Sequence, residues 1–332
     1  FTYRIRAEGE PLAGESVPPL SFDLSGAGGA SSIRIQNFDI DFPGTTVRLL
    51  APIVVDRDAQ VRSGPSEFSL SSDLEKIPGL ENVRGKIEGR VRVHAGEDTP
   101  RLTAQLDASA ISAPGLELKS AHVEAGQVGP LLTLNESRLD FADGSHASLK
   151  GAWHWSEKKL SDVRLEADVK PAAFSRWLPS SMTFTRFIVS AKAAGAWPAV
   201  EHSGELSLEG FAAGTPKPLA ATGTWQGRGL VAETIDLTVK TGDSRATLHG
   251  RLASNEATLE SAEIALPENP PLQLARPATI GWSPSLRIQK LDFSGGTARI
   301  AVAWSTLEAR RARVEIADFP STALRDFLPS AW

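Results

Sequence analysis

Six histidines, His94, His122, His146, His154, His202 and His249, and a recurring set of aspartates have the widest chemical reach in this chain. A metal centre needs several His and carboxylate ligands spaced on a common element, and none of the six histidines falls into such a spacing. They read as surface and turn residues. Asp39, Asp41, Asp140, Asp236 and Asp292 each stand beside apolar residues, and two facing carboxylates could run acid–base hydrolysis. Each, however, takes the polar side of its own strand in the same slot of a repeating pattern, which is a structural position. No G-x-S-x-G elbow or phosphate-binding P-loop occurs, and the Gly-rich stretch 26–31 (GAGGAS) lacks the G-x-G-x-x-G spacing and reads as a turn. With no cysteine there is no disulfide, thiolate zinc site or cysteine nucleophile. The expectation is a protein that is not an enzyme, with no catalytic residues, no metal and no cofactor.

The elements that carry these residues are strands. Apolar residues recur at every second position in many short windows. Val83, Gly85, Ile87, Gly89, Val91 and Val93 alternate with Arg84, Lys86, Glu88, Arg90 and Arg92. The same alternation runs through Leu102, Ala104, Leu106 and Ala108, and through Val163, Leu165, Ala167 and Val169. It returns in Ile235, Leu237 and Val239, in Ala246, Leu248, Gly250 and Leu252, and in Ala298, Ile300, Val302 and Trp304. Helical signals are few: 171–178 (PAAFSRWL), 320–328 (PSTALRDFL) and, more weakly, 69–76 before Pro78. Such short helices must pack on a sheet, and Trp177 and Phe327 are their packing or lid candidates. Trp153, Trp155 and Trp304 close strands at equivalent places, where they plug the edge or floor of the sheet.

The most specific feature is repetition. LDFADGSHASLKGAW (139–153) and LDFSGGTARIAVAW (291–304) lie about 150 residues apart, each leading into an alternating strand, an Ala-Asp pair and a short helix closing on Leu-Pro-Ser. Partial copies are 235–252 and 40–50. This is hairpin repetition along one array rather than a pair of unrelated domains.

Composition narrows the class. The 332 residues are 41% hydrophobic and carry a formal net charge of −5, so a sizeable apolar surface forms without the basic footprint that nucleic acid requires. The longest apolar run, 49–55, is too short for a membrane-spanning helix. Lack of cysteine suits an oxidising compartment such as a periplasm. The chain begins on Phe1 without a signal-type segment, and reads as an excised piece whose anchor or export signal lies elsewhere.

The succession PLQLARPATI (271–280), SLRIQKLDFSGGTARIAVAW (285–304), an alternating strand and STALRDFLP (321–329) resembles the repeating unit of the large TamB and AsmA-like proteins of Gram-negative-type envelopes. The copy from LDFADGSHASLKGAWHW to AAFSRWLP and the stretch IPGLENVRGKIEGRVRV (77–93) fit the same pattern. The matching units cover roughly 65–332. The resemblance implies an all-β, elongated, curled antiparallel sheet forming a U-shaped groove, with a few short helices. Its parts are a less distinct β segment over 1–64 and repeat units over 65–180 and 181–332. It further implies a periplasmic segment of an inner-membrane-anchored envelope protein that conducts phospholipid acyl chains between the two membranes. The anchor lies outside this fragment, and a BamA-like outer-membrane barrel is a partner of some members. The alternative is a periplasmic scaffold that assists outer-membrane barrel assembly by strand pairing. Groove candidates are Val83, Ile87, Val91, Leu102, Leu106, Leu165, Val169, Leu237, Leu248, Ile300 and Val302, their face inferred from alternation alone.

Overall fold

Alternating sequences with Gly, Pro and Asp turns give an antiparallel meander. The computed structural model describes residues 1–9, 19–58, 61–62, 65–95, 99, 101–174, 182–213, 217–283, 285–305 and 311–318. Two compact units divide the chain, Phe1–Arg164 with Ala172–Phe174, and Leu165–Pro171 with Ser175–Trp332.

The first unit holds β1 (Thr2–Gly9), β2 (Leu20–Gly28), β3 (Ser32–Phe42), β4 (Thr45–Ala51), β5 (Ile53–Asp56), β6 (Ser66–Asp73) and β7 (Arg84–His94). It continues with β8 (Arg101–Ala113), β9 (Leu116–Val128), β10 (Leu131–Phe141) and β11 (His146–His154), and β12 (Lys159–Val169) spans the boundary. Neighbours in sequence pair antiparallel, except that β3 takes both β4 and β5 along one edge and β4 then pairs with β6. Pro52, which has no N–H to donate, separates β4 from β5. Its carbonyl accepts the Ser66 hydroxyl at 2.9 Å.

The second unit repeats this plan. It contains β13 (Met182–Thr183), β14 (Arg186–Ala196), β15 (Glu201–Ala213), β16 (Leu219–Arg228), β17 (Val231–Thr241), β18 (Ser244–Leu252) and β19 (Glu256–Ala265). Then follow β20 (Leu272–Leu274), β21 (Ala278–Gly281), β22 (Arg287–Gly295), β23 (Ala298–Ser305) and β24 (Arg311–Ala317). Here β19 is the strand that takes two short partners, β20 and β21, with Pro277 between them. The all-β antiparallel expectation is met, and the four repeated segments fall on the hairpins β3/β4, β10/β11, β17/β18 and β22/β23.

Directly paired residues share a face, so the registers assign the two faces of each unit. In the first unit one row runs Phe22, Ile40, Val47, Leu70, Gly89, Leu106, Val123, each paired with the next. Beside it runs Leu49, Phe68, Val91, Ala104, Ala125, Leu134. Phe38 joins this face, its ring edge-on to Phe22 at 5.6 Å and to Phe68 at 6.0 Å between centroids. In the second unit the corresponding row is Val189, Leu206, Gly223, Leu237, Leu248, Ala262. Inside each unit, the extensive close backbone contacts join hydrogen-bonded neighbours, or the turn Leu74–Lys76 and β7. Most side chains of the apolar rows are half-buried.

Two sequence expectations change. Residues 69–73 belong to β6, and the helix expected over 69–76 is reduced to one 3₁₀ turn, Leu74–Lys76. The period-2 pairing of Val47 with Leu70 and of Thr45 with Ser72 outweighs the helical spacing of Leu70 and Leu74. Val83 lies just before β7, its N–H donating to the Leu80 carbonyl at 2.9 Å, so it is a turn residue rather than a strand residue. Pro171–Phe174 forms a 3₁₀ turn. Residues 175–178, including Trp177, and 320–328, including Phe327, lie outside the described residues.

Candidate functional site

The apolar face is built by alternation, and its depth is set by glycines. Gly204 and Trp225 are paired on β15 and β16. A Cβ on Gly204 would stand 2.3 Å from the indole, so only glycine lets that ring lie flat across the neighbouring strand. Gly223 sits between Leu206 and Leu237 in the same way, leaving a depression between two leucines. A cavity of about 440 Å³ results, walled by Leu206, Trp225, Leu230, Ile235, Leu237 and Leu252, with His202 its one titratable lining residue. Its size falls within the roughly 300–1,000 Å³ of small-molecule sites.

The opposite face is of another kind. Depressions of about 520 and 430 Å³ there are walled by Asp236, Thr238, Thr247 and His249, and by Ser190, Glu205 and Thr222. Charges on this face pair across strands and, on β10, along one. Arg4 and Arg6 donate to Asp23 at 2.6 and 2.9 Å and hold its carboxyl at about 2, while Arg299 grips Asp292 at 2.9 and 2.7 Å with the same effect. Asp140 binds Arg138 at 3.0 Å. Two pairs recur in the two units: His122 with Asp107 at 2.6 Å and His249 with Asp236 at 2.8 Å. The carboxylate raises each imidazole pKa by stabilising its protonated form. The recurring Asp140, Asp236 and Asp292 thus lie opposite the apolar rows, each engaged by a basic side chain. Among the described residues no group of three or more His, Asp or Glu side chains is placed to hold a metal ion.

The registers place the groove candidates individually. Ile87 and Val91 on β7, and Leu102 and Leu106 on β8, share the apolar face of the first unit, paired with Ala108, Ala104, Val93 and Gly89 respectively. Leu106 is exposed. In the second unit Leu237 and Leu248 are direct partners. Ile300 lies between Phe293 and Ile316, and Val302 between Leu291 and Val314. On β12, Leu165 is exposed and Val169 buried. Sequence reading did not single out Leu206, Trp225 or Leu230, and took His202 for a surface or turn residue. The available signal was the spacing of Gly204, Gly223 and Gly227, each opposite a large side chain.

No protein-family model, curated protein or solved structure matches the chain.

Proposed function

We propose that this chain shelters lipid acyl chains on its apolar face, as a segment of a periplasmic bridge that conducts phospholipid between membranes. The family proposed is the TamB and AsmA-like one. The single observation that carries the reading is the set of apolar rows that cross each unit from strand to strand with most of their side chains only half-buried. A half-exposed aliphatic face is costly in water, and each methylene it takes from water is worth about 0.8 kcal/mol. Leu, Val, Ile and Ala provide an aliphatic surface for a tail, which dips where Gly204 and Gly223 leave room. The hydrophilic face, laced with Arg–Asp and His–Asp pairs, keeps the other side wet.

Organic extraction of the purified chain followed by mass spectrometry tests the proposal. Phospholipid or fatty acid should be recovered in stoichiometric amount, and recovery should fall when Leu237 or Leu248 is made charged. A folded protein that carries no lipid and takes up none from vesicles defeats it. If crosslinkers on outer strand edges trap polypeptide while those at Leu237 trap nothing, the strand-pairing scaffold replaces it.

A further inference from the structure

The two rims of the second unit differ. One rim is made by the ends of β14, β16, β18, β21 and β23 and the starts of β15, β17, β19, β22 and β24. It exposes Trp197 at 54%, Leu230 at 72%, Trp282 and Leu286 at 42%, Leu252 at 39% and Trp304 at 36%. The opposite rim turns through Thr241 to Ser244, Leu266 to Leu272 and Gly295 to Ala298, and its leucines Leu266 and Leu272 are buried. Among the described residues it exposes only Met182 and Ile316 of comparable size.

The apolar rim is continuous with the cavity, because Leu230 and Leu252 belong to both. Its charges are two-signed: Glu201, Glu233 and Glu256 stand with Arg228, Arg251 and Arg287, and Arg228 meets Glu201 at 3.2 Å. An indole combines an apolar body with an N–H donor, which suits the level where a lipid changes from hydrocarbon to headgroup.

We propose that this rim holds the glycerol and headgroup boundary of a phospholipid, with its tail running inward over Trp225 and Leu237. The inference rests on the acyl-chain reading above and adds a polarity to it: tails enter from the rim of Trp197 and Trp282. Trp225 lies three residues inside the end of β16, about 10 Å from the rim along the strand.

Tryptophan quenching in the full chain tests this, using phosphatidylcholine vesicles brominated either beside the headgroup or near the tail end. Trp225→Phe, and Trp197→Phe combined with Trp282→Phe, assign the emission to each position. Head-proximal bromine should remove most of the rim emission and tail-end bromine little of it, with the reverse order for Trp225. If Trp225 is quenched and the rim indoles are not, or the rim responds equally to both bromine positions, the polarity is wrong while the acyl-chain reading stands. Rim quenching without Trp225 quenching means docking on the vesicle surface and overturns the proposal. No quenching of any tryptophan removes the acyl-chain reading itself. Should the double variant unfold, iodide access in the unsubstituted chain supplies the same answer: bound lipid must shield the rim indoles.

Discussion

Leu237→Glu places one carboxylate in the middle of the apolar row, between Gly223 and Leu248 and on the wall of the cavity. An ionised group there keeps its water, and a tail cannot lie across it. One strand width, about 4.8 Å, is the length of about four methylenes, so contact worth about 3 kcal/mol is lost. That corresponds to about 150-fold weaker binding. Its control is Thr238→Glu, the next residue on β17, which faces Thr222 and Thr247 on the hydrophilic side and should leave binding within about twofold. Because Leu237 is half-buried, the stability cost of its substitution is about 1 to 2 kcal/mol, read from urea unfolding. Equilibrium binding of a fluorescent acyl probe to both folded variants is the assay. If Leu237→Glu binds as the unsubstituted chain does, or Thr238→Glu fails equally, the apolar face is not the lipid surface.

Further expectations follow from particular contacts. Gly204→Val should displace the Trp225 indole, because the new Cβ would lie 2.3 Å from the ring and 2.6 Å from the Ser190 carbonyl. A loss of about 1 to 3 kcal/mol and an altered near-ultraviolet dichroism would show it. Phe38→Ala removes the ring between Phe22 and Phe68 and should cost about 2 to 3 kcal/mol, below a fully buried phenylalanine because the site is half-open; chemical denaturation measures it. The imidazoles of His122 and His249 titrate above their ordinary value, so their contribution to stability is complete below about pH 6.5 and is lost as pH rises through the folded values. Asp107→Asn should bring His122 back down in an NMR titration while leaving His249 where it was. Asp23 and Asp292 work in the opposite sense: their contribution is present above the unfolded carboxylate value and is lost as pH falls through about 2. Arg299→Met should therefore move acid unfolding to higher pH, and an unchanged acid midpoint would show that the Asp292 pair carries no such linkage.

Much of this architecture is legible in the chain. Alternation in Ile87 to Val93, Leu102 to Ala108 and Ala246 to Leu252 puts one side chain in two on each face, because successive residues of a strand point oppositely. Turn residues divide those runs at almost every hairpin, and the repeated aspartates fall on the hydrophilic face that their spacing implies. Alternation also conveys that residues share a face without conveying which strand lies beside which. Nothing local makes Leu237 the partner of Leu248 or sets Trp225 over Gly204; those pairs follow from register, which each hairpin settles across both of its strands.

Bulges are the second gap. The apolar spacing steps by three once in β17, from Ala232 to Ile235, in β19, from Leu259 to Ala262, and across β22, from Ile288 to Leu291. Read as plain alternation, each step would send half of its strand to the wrong face. An extra residue on one strand against a regular partner absorbs the slip and keeps the apolar row unbroken. Composition and period therefore determine an all-β chain with one oily and one wet face. Pairing across strands determines where the oily face dips, at Gly204 and Gly223, and which rim carries the exposed indoles, because those features depend on side chains from successive strands of the meander meeting at one level of the sheet.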